Sequence, residues 1–381
     1  MSALDLHRFL LRFALAGVNV FAWIFVFQYF YLIEPSIAHA LARVALLYAL
    51  SQMITCLLTP YAARALRKGA RRMLILAVLV AASALVALGS TFAAYWSVAY
   101  VPLGVAAFAI ALGIYRALYF VPYEIEALVA GPARRGMGTE LFIALAPLAV
   151  GLFIVSTEYG PIWIMYIGAT VVALSALPLL YLREIHEGYS WGYRETFVQL
   201  LARANRPAVT HAFLEGISGA ALLLFWPIAV FLIAGWSYGM LGVILTLTFL
   251  VAILSRTLVR KGVRRAGLHQ SRPLNVIFAA TPWLFRMLVG TPLGVVVVDS
   301  YFFTTTPRRT GLDPLTFEQF ADAGTYVDEY TALKEMALAL GKTAACILGA
   351  ILALLASVPV ALVCVFIAAA LASVTVALRP R

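Results

Sequence analysis

The sequence predicts an all-α polytopic membrane protein. Three observations predict it: a surplus of apolar residues, apolar runs long enough to span a bilayer, and basic residues confined to alternate loops. Of 381 residues, 64% are hydrophobic and 12% charged, and the mean hydropathy is +0.96. Soluble domains run at about half apolar and about a quarter charged, so the surplus needs a solvent other than water. A bilayer core of roughly 30 Å takes about 20 apolar residues as helix. Within it every backbone N–H and C=O must be satisfied locally, which leaves helices or closed barrels. The runs here are continuous, without the alternation of barrel strands. They are helices.

Read in order, breaks at Gly, Pro and charge give twelve spans. Arg8 and Arg12 precede or open span 11–33, which carries Asn19 and Gln28 on different sides. Span 38–60 leads into the basic loop Arg64, Arg67, Lys68, Gly69, Arg71 and Arg72. Spans 73–91 and 95–121 follow, the second carrying Arg116. Glu124, Glu126, Arg134, Arg135 and Glu140 lie between it and the body of span 137–156. Span 161–182 ends a first half at 1–182, and a linker at 183–207 holds Arg183, Arg194, Arg203 and Arg206. The second half, 208–381, begins with span 208–234, carrying His211 and Glu215. Span 237–256 leads to Arg256, Arg260, Lys261, Gly262, Arg264, Arg265 and Arg272. Residues 274–306 supply two short spans, 274–290 and 291–306, broken at Gly290-Thr291-Pro292. A single kinked helix there would leave eleven spans and an outside C-terminus. Asp299 falls in the second of the two. After Arg308, Arg309 and an acidic stretch, Asp313–Glu329, that reads as an interfacial helix, Lys334 and Glu335 precede spans 337–356 and 358–378. Lys342 lies in the first of these.

The remaining loops, Glu34–Ile37, Gly89–Ala94, Thr157–Gly160, Gly235–Trp236 and Ser357, contain no Lys or Arg. Cytoplasmic loops hold the Lys/Arg excess, so both termini and every basic loop are expected in the cytoplasm, with the chain in a bacterial inner membrane. The net charge of +11 is then a topology signal, and no nucleic-acid partner is expected. Cys56, Cys346 and Cys364 fall in apolar segments at unrelated spacings and read as packing residues. There is no Gly-x-x-x-x-Gly-Lys-Ser/Thr, no His-Glu-x-x-His and no Gly-x-Ser-x-Gly. The five histidines, His7, His39, His186, His211 and His269, make no i,i+4 pair. Neither a cofactor, a metal nor a catalytic constellation is indicated, and no cleavable signal is evident.

The halves repeat. Arg67-Lys68-Gly69-Ala70-Arg71-Arg72 recurs as Arg260-Lys261-Gly262-Val263-Arg264-Arg265 at an offset of 193, and Glu140 matches Glu335 at 195. Tyr119-Phe120 matches Tyr301-Phe302 at 182. Two parallel six-helix halves joined by a basic linker resemble the major facilitator superfamily. The segment from Thr59-Pro60-Tyr61-Ala62-Ala63-Arg64 to Gly69-Ala70-Arg71-Arg72 is similar to that family's loop between helices two and three. Thr59 stands for its first Gly and Ala63 for its acid. The resemblance implies a secondary transporter that works by alternating access as a monomer, surrounded by membrane lipids and moving a small-molecule solute. It also implies a cytoplasmic gate of Arg–carboxylate contacts, here Arg64–Arg72 and Arg260–Arg265 against Glu124, Glu126, Glu140 and Glu335. The basic clusters alternatively touch only anionic headgroups.

Ionisable residues at membrane depth are functional candidates by default. Glu215 and Asp299 are the deepest acids, each a candidate carrier of a coupling proton. Glu215 alternatively bonds His211 one turn away. Lys342 either pairs with Asp299 or Glu335 or binds solute. Arg116, which resembles the helix-four Arg of many facilitators, either handles solute and protons or snorkels. Cavity cations hold an anionic group or relay charge. Arg43 and Arg286, near the outer boundary, are expected to snorkel. Asn19 and Gln28 line a cavity or bridge helices. Tyr29, Tyr31, Tyr95, Trp96, Trp163, Trp236 and Tyr238 fit interfacial belts. The competing readings are a non-transporting membrane component with a degenerate facilitator fold, in which Phe and Leu fill the centre, and a carrier of lipid-like amphiphiles.

Overall fold

The computed structural model describes residues 2–93, 100–130, 136–265, 272–305 and 327–378, and among these residues every regular element is helical. Six helices come first: α1 (Ala3–Ile33), α2 (Ile37–Ala65), α3 (Ala70–Phe92), α4 (Val101–Ala130), α5 (Met137–Ser156) and α6 (Gly160–Leu179). A short helix, α7 (Tyr193–Leu201), lies in the linker. Six more follow: α8 (Arg206–Ile233), α9 (Tyr238–Arg265), α10 (Arg272–Leu288), α11 (Pro292–Thr305), α12 (Val327–Leu355) and α13 (Val358–Leu378). Ten are long and apolar enough to cross a bilayer, and α10 and α11 are the two short ones.

The break at Gly290–Pro292 separates two helices. Thr281 Oγ1 lies 2.8 Å from the Tyr301 hydroxyl and Arg286 2.7 Å from Asp299, so α10 and α11 run antiparallel. Several helices outrun their hydropathic spans. α12 begins at Val327, ten residues before the expected limit at 337, because Asp328 and Glu329 fill its first turn and suit the positive end of the helix dipole. The extension matters, since it carries Glu329, Thr331, Lys334 and Glu335.

Large apolar side chains such as Leu46, Leu57, Leu76, Leu247 and Leu371 are exposed on the outer helix faces, where a bilayer is their solvent. α1 and α8 are the most enclosed helices, with Phe21, Trp23, Phe27, Phe225, Trp226 and Phe231 buried. In α8, Pro227 has no N–H for the Leu223 carbonyl and its ring crowds that oxygen. The helix widens there into a π turn over Ala221–Phe225.

The two sets of helices meet along two seams, α2 against α12 and α5 against α9. The second is a backbone contact: a Cβ on Gly242 would lie 2.5 Å from the Pro147 carbonyl oxygen. Pro147 also interrupts the α5 ladder, and the next amide, Leu148, donates to Thr246 Oγ1 of α9 at 3.1 Å.

Candidate functional site

Three polar stripes meet at the α2–α12 seam. On α2, Tyr48, Ser51, Gln52, Thr55 and Thr59 are all buried, and steps of three and four place them on one face. On α4, Tyr115, Arg116, Tyr119 and Tyr123 are buried. On α12, Thr331, Glu335 and Lys342 are buried and Lys334 is partly so. Thr55 Oγ1 donates to the Ser51 and Gly113 carbonyls, both at 3.1 Å, tying α2 to α4. The Arg116 guanidinium lies 5.2 Å from the Tyr48 ring centroid, with Nη2 3.5 Å from the Tyr48 hydroxyl. Tyr48 in turn packs edge-on against Trp23 of α1 at 5.1 Å. Arg116 and Lys342, one from each set of helices, are both buried along this seam.

Separate contacts hold the two sets of helices together on each face of the fold. On the face that bears the Arg and Lys loops (the basic face), Glu124 of α4 accepts from Thr331 Oγ1 at 2.7 Å and from Lys334 Nζ at 3.2 Å, both on α12. Glu329 accepts from Ser190 N and Oγ of the linker at 3.2 and 2.7 Å. On the opposite face, the Tyr238 hydroxyl donates to Gln28 Oε1. Trp236 packs on Tyr31 and Phe27 of α1 at 4.6 and 5.7 Å, and Tyr238 on Phe25 at 5.0 Å. Trp236 and Tyr238, expected in an interfacial belt, join α1 to α8 and α9.

A second charged centre lies wholly inside the later helices. Asp299 Oδ1 accepts from Arg286 Nη2 and Nε at 2.7 and 3.1 Å, and Oδ2 accepts from Trp226 Nε1 at 2.7 Å. The guanidinium also lies 5.0, 4.5 and 4.4 Å from the rings of Trp226, Trp283 and Phe302. The two side chains are 0% and 4% exposed. Arg286 therefore does not snorkel, and Asp299 is paired with Arg286 rather than Lys342. The π turn of α8 sets Trp226 against them.

The remaining expected residues separate into local groups. The loop arginines turn to the linker: Arg71 pairs with Glu184 at 3.0 Å, and Arg67 donates to the Tyr189 carbonyl at 3.2 Å. Glu184 thus supplies an acid to a loop in which Ala63 takes the place where the resemblance leads one to expect one. Gly69 is required there, with φ of 109° and the Glu184 carboxylate occupying the place of a Cβ. Arg64 and Lys68 are exposed, and Arg72 reaches Glu184 at 3.8 Å. Glu140 pairs with Arg12 at 3.0 Å within the first set of helices, and Glu126 lies near Glu184 and Arg71. The expected gate is therefore redistributed: Glu124 with Lys334 spans the halves, whereas Arg71 and Glu140 do not. Glu215 stands 3.8 Å from His211, each side chain 31% exposed. Asn19 is half-buried on α1. Arg260, Lys261, Gly262, Arg264 and Arg265 lie on α9 but their side chains are outside the described residues, as are Asp313 and most of the acidic stretch. Arg43, expected to snorkel, pairs with Glu34 at 2.5 Å near the surface.

Sequence reasoning passed over the α2 stripe, although its spacing of polar residues in an apolar helix is visible. It also passed over His7, which is buried with Nδ1 2.7 Å from the Ser175 carbonyl oxygen and Nε2 2.9 Å from the Tyr119 hydroxyl.

No protein-family model matches the chain, and no curated protein matches it in sequence. Its fold does have solved counterparts. A D-xylose–proton symporter superposes with a TM-score of 0.61 at 16% identity, over 97% of this chain and 94% of the symporter. The xylose transporter XylE from E. coli, in a partially occluded inward-open conformation, gives 0.64 at 14%, over 97% and 94%. The nucleoside transporter NupG, in a mutant form, gives 0.59 at 13%, over 98% and 97%. The chain shares the all-α fold of these solved transporters across almost its whole length.

Proposed function

We propose that the chain is a secondary active transporter that moves a small solute by alternating access, and is not an enzyme. Residues 1–182 and 208–381 act as two six-helix units on the 183–207 linker, rocking about the seam that buries Arg116 and Lys342. One observation carries the reading. Buried ionisable groups contributed by both units sit between two distinct closures, Glu124–Lys334 on the basic face and Gln28–Tyr238 with Tyr31–Trp236 on the other. A carrier needs this arrangement, because its site must be reachable from each side but never from both. A merely structural core is better served by apolar packing, since buried charge is costly in lipid, so the geometry does not favour a non-transporting component. The basic face is cytoplasmic by the positive-inside rule, and the surrounding partner is lipid, with the chain acting as a monomer.

Glu215 with His211 carries the coupling proton. Both remain partly exposed and 3.8 Å apart, whereas Asp299 is buried and accepts from Arg286 and Trp226. Proton coupling also accords with the symporter whose fold the chain shares. The test is uptake into proteoliposomes with and without a pH gradient. Gradient-driven accumulation by the wild type, reduced to passive exchange in Glu215→Gln, is the expected result. Accumulation unaffected by Glu215→Gln removes the assigned proton site, and a topology reporter placing the tail after Leu378 outside removes the paired-half reading.

A further inference from the structure

The 183–207 linker does more than join the two units. We infer that it is a strap: its grip on the start of α12, Ser190 to Glu329, holds the basic face shut while the adjacent Asp328 carboxyl keeps its proton. The pH on that side then sets how readily the face opens. The latch rests on the transport reading, since it requires a face that opens.

One end of the strap is anchored on the first unit. The Ala70 amide donates to the Ile185 carbonyl at 2.8 Å, Arg71 Nη1 to the Leu182 carbonyl at 3.2 Å and Arg67 Nη2 to the Tyr189 carbonyl at 3.2 Å. Arg71 also pairs with Glu184 at 3.0 Å. Tyr189 is fully buried, and its hydroxyl lies 2.9 Å from Thr196 Oγ1 of α7. The hold on the second unit is slighter. Glu329 accepts from the Ser190 amide and hydroxyl, and Leu200 is buried in one cluster with Cys56 of α2, Ala212 of α8, and Leu333 and Met336 of α12. Opening of the basic face parts these contacts.

The acid end of the latch is a pair. Asp328 and Glu329 are consecutive residues in the first turn of α12, before the apolar span 337–356, and both are buried. Their carboxyl groups are hydrogen-bonded to each other. Ionised carboxylates only accept, so one of the two carries a proton. Glu329 receives both Ser190 donors, which makes it the carboxylate and Asp328 the acid that donates to it. Three donated bonds then meet on Glu329 at the positive end of the helix dipole. Loss of the Asp328 proton removes one of them and sets two like charges side by side away from water. The ionisable groups around the pair are Tyr189 and Glu195 of the linker, and Arg67 of the α2–α3 turn, which bonds the Tyr189 carbonyl. Further along α12 stand Lys334, bonded to Glu124 of α4, and Glu335. Parting the strap lets water reach both carboxylates and relieves the repulsion, so opening releases the proton. The sign follows: the shut face binds the proton more tightly, is favoured at low pH and is lost as pH rises.

The test is the distance between nitroxide labels at Glu187, on the anchored part of the strap, and Leu378, at the end of α13, both exposed. It is measured on the full-length protein in neutral maltoside micelles, with the three native cysteines replaced by alanine. Between pH 5.5 and 8.5 the ratio of long to short distances is expected to rise, by as much as about tenfold per pH unit while one proton is released. Asp328→Asn supplies a permanent donor to Glu329 and should hold the short distance at every pH. Ser190→Ala removes one donated bond and should raise the open fraction at low pH by about tenfold or more, with the dependence on pH retained. Glu215→Gln, which removes the proposed coupling proton, should leave that dependence unchanged. A distribution unmoved by pH overturns the inference, as does a response that persists in Asp328→Asn or vanishes in Glu215→Gln. Lys334→Ala distinguishes the latch from the reading beneath it. Lengthening in that variant without any response to pH removes the latch alone, whereas a distance fixed in that variant and at every pH removes alternating access with it.

Discussion

Arg116 of α4 and Asp299 of α11 occupy related places in the internal repeat, three and two residues before Tyr119-Phe120 and Tyr301-Phe302. Their surroundings are opposite. Asp299 is neutralised within its own set of helices by Arg286, bonded by Trp226 and walled by aromatic rings. Arg116 lies on Tyr48 of α2, the helix that packs against α12 of the other set and its buried Lys342. A buried charge that is matched locally serves the architecture of one unit. A buried charge on the seam lies where the two sets of helices meet.

The comparison breaks most sharply at the sealed pair. Arg286→Ala strands Asp299 in an apolar cage and should cost about 3–5 kcal/mol of stability, read as a large drop in melting temperature in detergent. Arg286→Met with Asp299→Leu removes both charges and should recover most of the loss. A single substitution without thermal effect would mean that the pair is not structural. The α5–α9 seam is next. Gly242→Leu drives a side chain into the Pro147 carbonyl, and overpacking of this kind costs about 1–3 kcal/mol; uptake should fall with it. Lys334→Ala should act on equilibrium rather than on folding. It removes a charged bond to Glu124, worth about 1.5–3 kcal/mol, and so favours opening of the basic face by roughly 10- to 100-fold. Cysteine labelling from that face measures the change. The smallest effect belongs to the exposed Arg43–Glu34 pair, where Arg43→Ala should move stability by less than about 1 kcal/mol. A large drop there would show that exposure does not separate consequential charges from incidental ones.

Much of the architecture was legible because it is written additively. Hydropathy summed over long runs locates the helices, and the alternation of Arg and Lys orders the loops. The break at Gly290-Thr291-Pro292 was visible too, although only the antiparallel contacts Thr281–Tyr301 and Arg286–Asp299 establish two helices there. Ion pairing was not legible. Whether Arg286 snorkels or meets Asp299 depends on the rotation of α10 and on a π turn imposed by Pro227, and neither is a property of composition. The gate shows the same limit. Arg71, Glu140 and Glu124 all lie in the expected loops or helix ends, but which acid meets which base depends on how the linker folds back and on the extra turns of α12 before residue 337. The stripe Tyr48, Ser51, Gln52, Thr55 and Thr59 was readable from its helical spacing alone. Its partners on α4 and α12 were not, since spacing on one helix does not say which neighbours it faces.

The claim beneath these readings is that the two units exchange closures. Spin labels at the exposed positions Ile33 and Met240 report the opposite face, and labels at Val129 and Tyr330 report the basic face. Distance distributions from both pairs, followed through a pH series and through titration with the solute, test it directly. The account predicts that one distance shortens in the population where the other lengthens. Two distances that stay fixed, or that open together, would contradict it.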